Sequence, residues 1–427
     1  MENNRTVSDV VILGAGPAGL TLGCYLADAG IPCTILEKAH HPRPHVGESL
    51  MPSTVRIFRE IGFLPTMEAA EFPRSGGVVY HPRGREAIPI DYAEFPQEGV
   101  DQAYTYHVDR SKLDLLLLKH AEGLGCQIVQ GASVKDVAFD DDGYATGVRA
   151  TVAGLDVSFQ ARVVVDAGGR ATKLGRQLGL RRDHPVLDQF ALHAWFLDVD
   201  RGKRATADYT HIFFIPELRG WAWQAPINTE VTSIGLVADR ALYQEGGLDV
   251  EDFFAEGLKK NRALAKATRA AMRINELKGE VNYSYQLERV CGNGWLAIGD
   301  AARFIDPIFS SGVGAALHTA RFAAERIQAA RDGGDFSRAT FLPYEDQLLA
   351  DAAIWDDFVR FFYRLLPSFT HVVESPQHRL SVLRLIQGEV HADSYADVLD
   401  EMRALVRSVE EADEHALKGD LLDFPPR

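Results

Sequence analysis

Apolar positions along this chain fall into short runs and helical stripes, and no single period runs throughout. Val10-Val11-Ile12-Leu13 is an unbroken apolar run followed by a glycine turn, the pattern of a strand buried on both faces. Residues 20–29 carry helical spacing and stop at Gly30, and Cys33-Thr34-Ile35-Leu36 is a second short strand. Strand, helix, strand in that order predicts a parallel sheet. Residues 52–61 read as a helix with Pro52 in its first turn. Residues 111–124 read as another, with Leu113, Leu116, Leu117 and Ala121 on one face. Residues 127–139 and 145–159 alternate like antiparallel strands about an Asp140–Gly143 turn, and Val163-Val164-Val165 is a further buried strand. Residues 186–240 alternate again and hold Trp195, Trp221 and Trp223. The pattern then predicts helix over 249–273, strand over 295–298, a long helix from Ala315 onward and a mostly helical tail from about 340 to 417. Residues 72–107 are rich in Gly, Pro and aromatics and read as strands and loops over a cavity.

The glycine turn after the first strand is Gly14-Ala15-Gly16-Pro17-Ala18-Gly19, a GxGxxG spacing. Gly14 permits the tight turn, Gly16 lets backbone approach a pyrophosphate, and Gly19 lets helix and strand pack closely. Glu37 closes the second strand, where an acid accepts a ribose hydroxyl. Much later, Gly299-Asp300 ends a strand, and Asp306-Pro307 runs through Ser310-Ser311-Gly312-Val313-Gly314 to a helix start. A carboxylate there can meet a ribitol hydroxyl, and free N–H groups can hold the O2/N1 edge of a reduced flavin. A dinucleotide as long as FAD spans both segments. The nucleotide-binding parts are discontinuous, which argues against a simple dehydrogenase with one contiguous nucleotide domain.

The composition is that of a soluble globular protein, 46% hydrophobic and 25% charged over 427 residues. A formal net charge of -15 argues against nucleic acid and anionic membranes as partners, and disfavours an acidic carrier protein unless a local basic patch overrides it. Cys24, Cys33, Cys126 and Cys291 are scattered with no CxxC pair, so no metal site is expected and reduced thiols in a cytoplasmic protein are the default. No apolar window is long enough for a membrane span, and no signal peptide is visible.

Taken with Arg43–Pro52 (Arg-Pro-His-Val-Gly-Glu-Ser-Leu-Met-Pro), Tyr106–Arg110, Asp166–Arg170, Trp221–Pro226 and Asp306–Val313, these motifs resemble the aromatic-hydroxylase superfamily of glutathione-reductase-type FAD proteins. Within it, they are most similar to flavin-dependent halogenases of phenols and pyrroles. The resemblance runs from residue 9 to about 406. It implies an α/β fold with an α+β substrate region. A Rossmann-like FAD-binding domain (1–71, 106–185, 286–335) would carry an inserted mixed-sheet substrate region (72–105, 186–285) and a helical C-terminal region (336–427). It implies FAD contacts from Gly14, Gly16, Ala18, Gly19, Glu37, Lys38, Arg43, Glu48, Ser49, Arg110, Asp300, Pro307, Ser311, Gly312 and Val313. Glu48 equally suits a helix N-terminal acid, and Arg110 a surface ion pair.

In those halogenases hypohalous acid travels to a lysine in a Phe-x-x-Lys-x-Gly context. Here the stretch is Phe72-Pro73-Arg74-Ser75-Gly76-Gly77, and no lysine occurs between Lys38 and Lys112. Serine forms no haloamine, and Arg74 stays protonated. The family's Trp-x-Trp-x-Ile-Pro also departs, with Ala225 in place of isoleucine. Trp221 and Trp223 suit a wall beside the flavin, and equally two core tryptophans. His107 or His81 suits a base toward a phenol. The expected activity is therefore FAD-dependent hydroxylation of a small electron-rich aromatic through a flavin C4a-hydroperoxide, in secondary metabolism. O2 would be the co-substrate, and reducing equivalents would come from a separate flavin reductase or NAD(P)H. Halogenation with an altered relay, and simple oxidation, are the alternatives. The candidate catalytic set is Ser75, Arg74, His107, Trp221 and Trp223.

Overall fold

A computed structural model of the chain describes residues 5–94, 103–281, 284–366, 369–388 and 396–411. Two sheets organise it. In the first, the strands run in the order Cys291–Gly292, Trp295–Ala297, Leu155–Asp166, Arg5–Leu13, Cys33–Glu37, Gln127–Gln130. Four of the five pairings in this order are parallel. Val10 to Leu13 and Val163 to Val165 are buried, as the continuous apolar runs require. The helix Pro17–Asp28 packs on this sheet beside the 23-residue helix Ser311–Gly333.

The second sheet runs Met272–Arg273, Gln189–Leu197, Thr232–Asp239, Gly220–Pro226, Thr210–Ile215, Gly77–His81, Ile88–Asp91. Its strands alternate cleanly. Phe190, Leu192, Ala194, Phe213 and Ile234 face the helices Val250–Lys260 and Arg262–Ala267. The opposite face presents Trp221, Ile212, Phe214 and Tyr80 to Phe309 and to the C-terminal helices, through Phe358, Phe362 and Phe369. The fold is thus mixed α/β, with the flavin-type domain, the inserted sheet and a helical C-terminal region that the sequence implies.

Local differences have local causes. The strand Leu155–Asp166 is continuous, joining two segments that the sequence separates; it turns back from Ala145–Val152 at Ala153 and Gly154, both at positive φ. Ala153 is no usual residue for that conformation, which hid the turn. The expected helix over 249–273 breaks at Asn261, whose side chain accepts from the N–H groups of Ala263 and Leu264 and starts a new helix, and it ends in a short strand. The long helix expected from Ala315 begins at Ser311. The tail is mostly helical among the described residues, in Arg338–Arg364, Phe369–Glu374, Arg379–Gln387 and Ala396–Glu411; 412–417, read as helix from the sequence, lie outside the described residues.

Candidate active site

The cofactor half is built around two helix starts. Gly14 sits at φ +106, and a Cβ there would lie 2.5 Å from the Ala167 carbonyl oxygen. A Cβ on Gly19 would lie 2.0 Å from the Gly14 carbonyl oxygen, so helix and turn touch backbone to backbone. Gly16 differs: its Cβ would meet only Arg43 Nη2, at 3.7 Å. No side chain caps the helix that starts at Pro17. No side-chain acceptor therefore competes at this helix start for the N–H groups that a pyrophosphate would use. The Ser311–Gly333 helix likewise starts without a side-chain cap, and a Cβ on Gly312 would meet nothing within 4 Å. Pro307 opens the turn before it, with Asp306 accepting from Ile308 N–H at 3.1 Å. Gly299 wedges between Ala18 and Ala316, its would-be Cβ 3.1 and 3.3 Å from theirs, so the two first turns adjoin.

Glu37 is buried and accepts from Ala15 N–H and Ala39 N–H, each at 2.9 Å. Arg43 lies 3.5 Å from Glu37 and 3.8 Å from Asp114, and its buried Nε has no hydrogen-bond partner among the described residues. An orphaned guanidinium N–H beside an uncapped helix start fits a phosphate or ribose oxygen. Asp300 faces the cleft that Ser311, Gly312 and Trp355 line, and burial pushes its carboxyl up to about 6, with Arg170 and Arg110 opposing. The residues present thus fit FAD at both ends.

Two of the expected cofactor residues are placed differently. Arg110 is no surface pair. It is buried, forks onto Asp114 at 2.8 and 3.1 Å, and donates to the Val46 carbonyl at 2.8 Å. It props the loop at Gly47, where a Cβ would come within 3.0 Å of Arg110 Nη1 and 3.8 Å of Val313. Lys38 is exposed and makes no hydrogen bond or ion pair among the described residues.

Glu48 and Ser49 lead from that loop into the second half. Glu48 is buried and accepts from the Trp195 indole at 2.6 Å; Ser233 bonds the same carboxyl, which burial raises above the usual range. Trp223 donates to Ser233 at 3.1 Å and lies flat over Gly235, whose Cβ would stand 2.1 Å from its ring. Ser49 and Thr210 share a 2.9 Å hydrogen bond, and Thr210 meets His107 Nε2 at 2.8 Å. Ser49 bridges His107 across the backbone, His107 N–H donates to the Pro73 carbonyl, and Ser75 pairs with Thr105. Buried Ser75, Thr105, His107 and Thr210, with half-buried Ser49, therefore form one polar wall. Ser75 donates to the Gly77 carbonyl at 3.1 Å. His107 Nδ1 and Thr105 Oγ1 have no partner among the described residues.

Strand alternation removes two candidates from this wall. Arg74 points out from the strand that points Ser75 in, and stacks on Tyr104 at 4.4 Å. His81 lies on the helix side of the large sheet, bonded to His211 at 2.9 Å and stacked on Phe213. Trp221 is held more tightly than a packing role needs. Its indole donates to the Tyr363 hydroxyl at 2.9 Å, which donates to Asp306 at 2.8 Å. That chain ties the tryptophan strand to the turn before Ser311. Tyr363→Phe removes both bonds and is expected to cost about 1–3 kcal/mol, as a lower urea midpoint, and to weaken FAD retention. Thr210, Ser233, Trp195 and Tyr363 carry no local motif, and only the alternation of their strands hinted at the first three.

Burial holds His107 down at about 3, with His211 and Arg201 adding to the effect. The ring is therefore neutral at physiological pH and offers a base, not an acid. Its ring-proton resonance is expected to stay put in an NMR titration from pH 8 to 5, while exposed histidines shift near 6.5. Movement of that resonance would show the ring to be hydrated.

A family profile described as an FAD binding domain matches residues 7–335. A 1H-pyrrole-2-carbonyl-[peptidyl-carrier protein] chlorinase of Pseudomonas fluorescens is 42% identical over 95% of this chain and 95% of its own. The chain belongs to the flavin-dependent halogenase family. A 1H-pyrrole-2-carbonyl-[peptidyl-carrier protein] brominase of Pseudoalteromonas luteoviolacea is 32% identical over 89% of this halogenase homologue and 91% of that protein. The solved flavin-dependent brominase Bmp2 matches with a TM-score of 0.86 and 29% identity, covering 95% of this chain and 99% of that one. FAD is accordingly the cofactor of this flavin-dependent oxidoreductase, in agreement with the two helix starts. No helix among the described residues is long and apolar enough to cross a membrane.

Proposed function

We propose that this enzyme is a flavin-dependent halogenase with an altered relay, acting on a pyrrole-like aromatic acyl group presented on a carrier protein. The observation that carries the reading is the 42% identity, along 95% of both chains, to a chlorinase named for such a substrate. It favours the halogenase alternative over hydroxylation, and a carrier-bound substrate over a free small molecule. Bound reduced FAD supplies oxygen activation, with the electrons delivered by a separate reductase or by NAD(P)H. The protein residues do the rest. The Pro17 and Ser311 helix starts, Glu37 and Arg43 hold the cofactor. Trp221 and Trp223, with Phe309, exclude water from the substrate face. Neutral His107, braced by Thr210 and Ser49, accepts the strongly acidic proton that the ring loses on substitution. Ser75, whose one hydroxyl proton goes to the Gly77 carbonyl, turns its oxygen lone pairs toward an incoming oxidised halogen species and cannot form a bond to it through nitrogen.

Hydroxylation is the second reading, favoured by that missing amine. One experiment separates them. The enzyme is supplied with a flavin reductase, NADH and labelled O2, and offered pyrrole-2-carbonyl on a carrier domain and as a free thioester, with and without chloride or bromide. Halogen in the product, dependent on halide, supports the proposal. A gain of labelled oxygen indifferent to halide overturns it for hydroxylation. Peroxide released in step with a dehydrogenated product overturns both.

A further inference from the structure

The chain carries a formal net charge of -15, yet one stretch reverses it. Between Glu256 and Glu276 stand Lys259, Lys260, Arg262, Lys266, Arg269 and Arg273, with no acid among them. All six are exposed, on the helices Val250–Lys260 and Arg262–Ala267 and the strand Met272–Arg273 with their connections. The loop at 200–206 joins this face: Asp200 N–H donates to the Ala267 carbonyl at 3.0 Å, and Lys266 lies 3.8 Å from Asp200. It adds exposed Lys203 and Arg204. Lys259, Lys266 and Arg273 are paired with Glu256, Asp200 and Glu251. Among the described residues, Lys203, Arg204, Lys260, Arg262 and Arg269 make no ion pair, so their charge is unspent.

Apolar surface accompanies them. Leu248, Val250, Met272 and Ile274 are 41, 44, 55 and 46% exposed. The Arg273–Glu251 pair, at 2.5 Å, holds the strand end carrying Met272 and Ile274 against the start of the helix at Val250. Solubility needs neither unpaired cations nor clustered exposed side chains of this size; a partner with an acidic, amphipathic surface needs both.

The face also borders the active site. Ile274 N–H donates to the Trp195 carbonyl at 2.9 Å, and Trp195 N–H donates to the Asn275 side chain at 2.8 Å. The indole of the same Trp195 reaches Glu48. On the other flank, the chain running on from Arg204 brings the Tyr209 ring against Gly76 and Gly77, next to Ser75.

We propose that this basic and apolar face docks an acidic carrier domain, placing its phosphopantetheine arm beside the Trp195–Glu48 and Ser75 walls. The inference rests on the carrier-bound substrate proposed above. Charge complementarity commits the face to a small acidic protein; a membrane or a nucleic acid is a large polyanion that would also confront the negative remainder of the chain.

The test is fluorescence anisotropy of a labelled peptidyl carrier domain, bearing pyrrole-2-carbonyl on its phosphopantetheine, titrated with the full-length FAD-loaded enzyme. The triple variant Lys260→Glu, Arg262→Glu, Arg269→Glu is expected to bind at least tenfold more weakly and to lose most of the salt dependence. Its FAD content and melting temperature are expected to be unchanged. Lys119→Glu, an exposed cation on the Arg110–Gly123 helix, is expected to bind as the unaltered enzyme does. Equal carrier affinity in the triple variant overturns the docking face alone. An equal loss in Lys119→Glu overturns it as well, reducing the effect to net charge. Failure of the unaltered enzyme to bind the carrier overturns both this inference and the carrier-bound reading. Phosphatidylserine vesicles bound through the same three cations, with no carrier binding, would give the face to a membrane.

Discussion

Gly16→Ala is expected to yield a folded protein that holds FAD at least ~100-fold more weakly, and Gly19→Ala one that neither holds FAD nor keeps its melting temperature. The two glycines stand in one turn but resist substitution for different reasons. At Gly19 a Cβ would stand 2.0 Å from the Gly14 carbonyl oxygen, a backbone atom that cannot rotate away. Helix and strand must part, and the buried contacts of Leu20 and Leu22 go with them. At Gly16 the nearest protein atom to the new methyl is a guanidinium nitrogen 3.7 Å away, so the apo fold is undisturbed. The methyl instead fills the space through which the turn must approach a pyrophosphate. A loss of ~100-fold corresponds to about 2.7 kcal/mol. Titration of the apoproteins with FAD, read by quenching of flavin fluorescence, checks the affinities, and thermal melts followed by circular dichroism check the folds. A Gly16→Ala protein that binds FAD normally would mean that the pyrophosphate lies elsewhere.

The cofactor half was legible in the sequence because its chemistry is done largely by backbone. Gly14, Gly16 and Gly19 report where the chain must turn or approach closely, and the helix starts at Pro17 and Ser311 follow from local order. The substrate half was not, because its contacts join distant strands. Nothing near Thr210 announces that its hydroxyl links Ser49 to His107. Nothing near Tyr363, at the end of the helix Arg338–Arg364, announces that it joins Trp221 to Asp306. Adjacent residues were also misjudged for a plain geometric reason. Arg74 and Ser75 share a strand, so they face opposite ways, and His81 falls on the wrong side of its own strand for the same reason. Net charge is a coarser signal than its distribution. A sum over 427 residues hid a stretch of the opposite sign, and the sign that matters to a partner is local.

Ser75→Lys is expected to raise halide-dependent product formation by about 100-fold or more, the scale of a well-placed proton donor or acceptor. Ser75 is 1% exposed, and among the described residues its hydroxyl reaches only the Gly77 carbonyl. Around it, the Thr105 hydroxyl and His107 Nδ1 are buried polar groups without a partner among the described residues. A wall with two unmet polar groups beside a short side chain can take a longer polar one, and an amine can donate to the Thr105 oxygen and, in the tautomer that leaves Nδ1 bare, to His107. Burial works in the same direction on reactivity. An amine here is desolvated, with no carboxylate in the Ser49–Thr210–His107 wall to hold its charge, so its pKa falls and the neutral, nucleophilic form gains population as pH rises through that lowered value. The gain should therefore grow from pH 6 to 8, where a solvated lysine would stay charged. Ser75→Met, of similar length and without an amine, separates chemistry from bulk. Product analysis by mass, with chloride and with bromide, reads the outcome. If the lysine and methionine variants halogenate no better than the serine enzyme, while FAD content is kept, the relay lies outside this wall and Ser75 is only its lining.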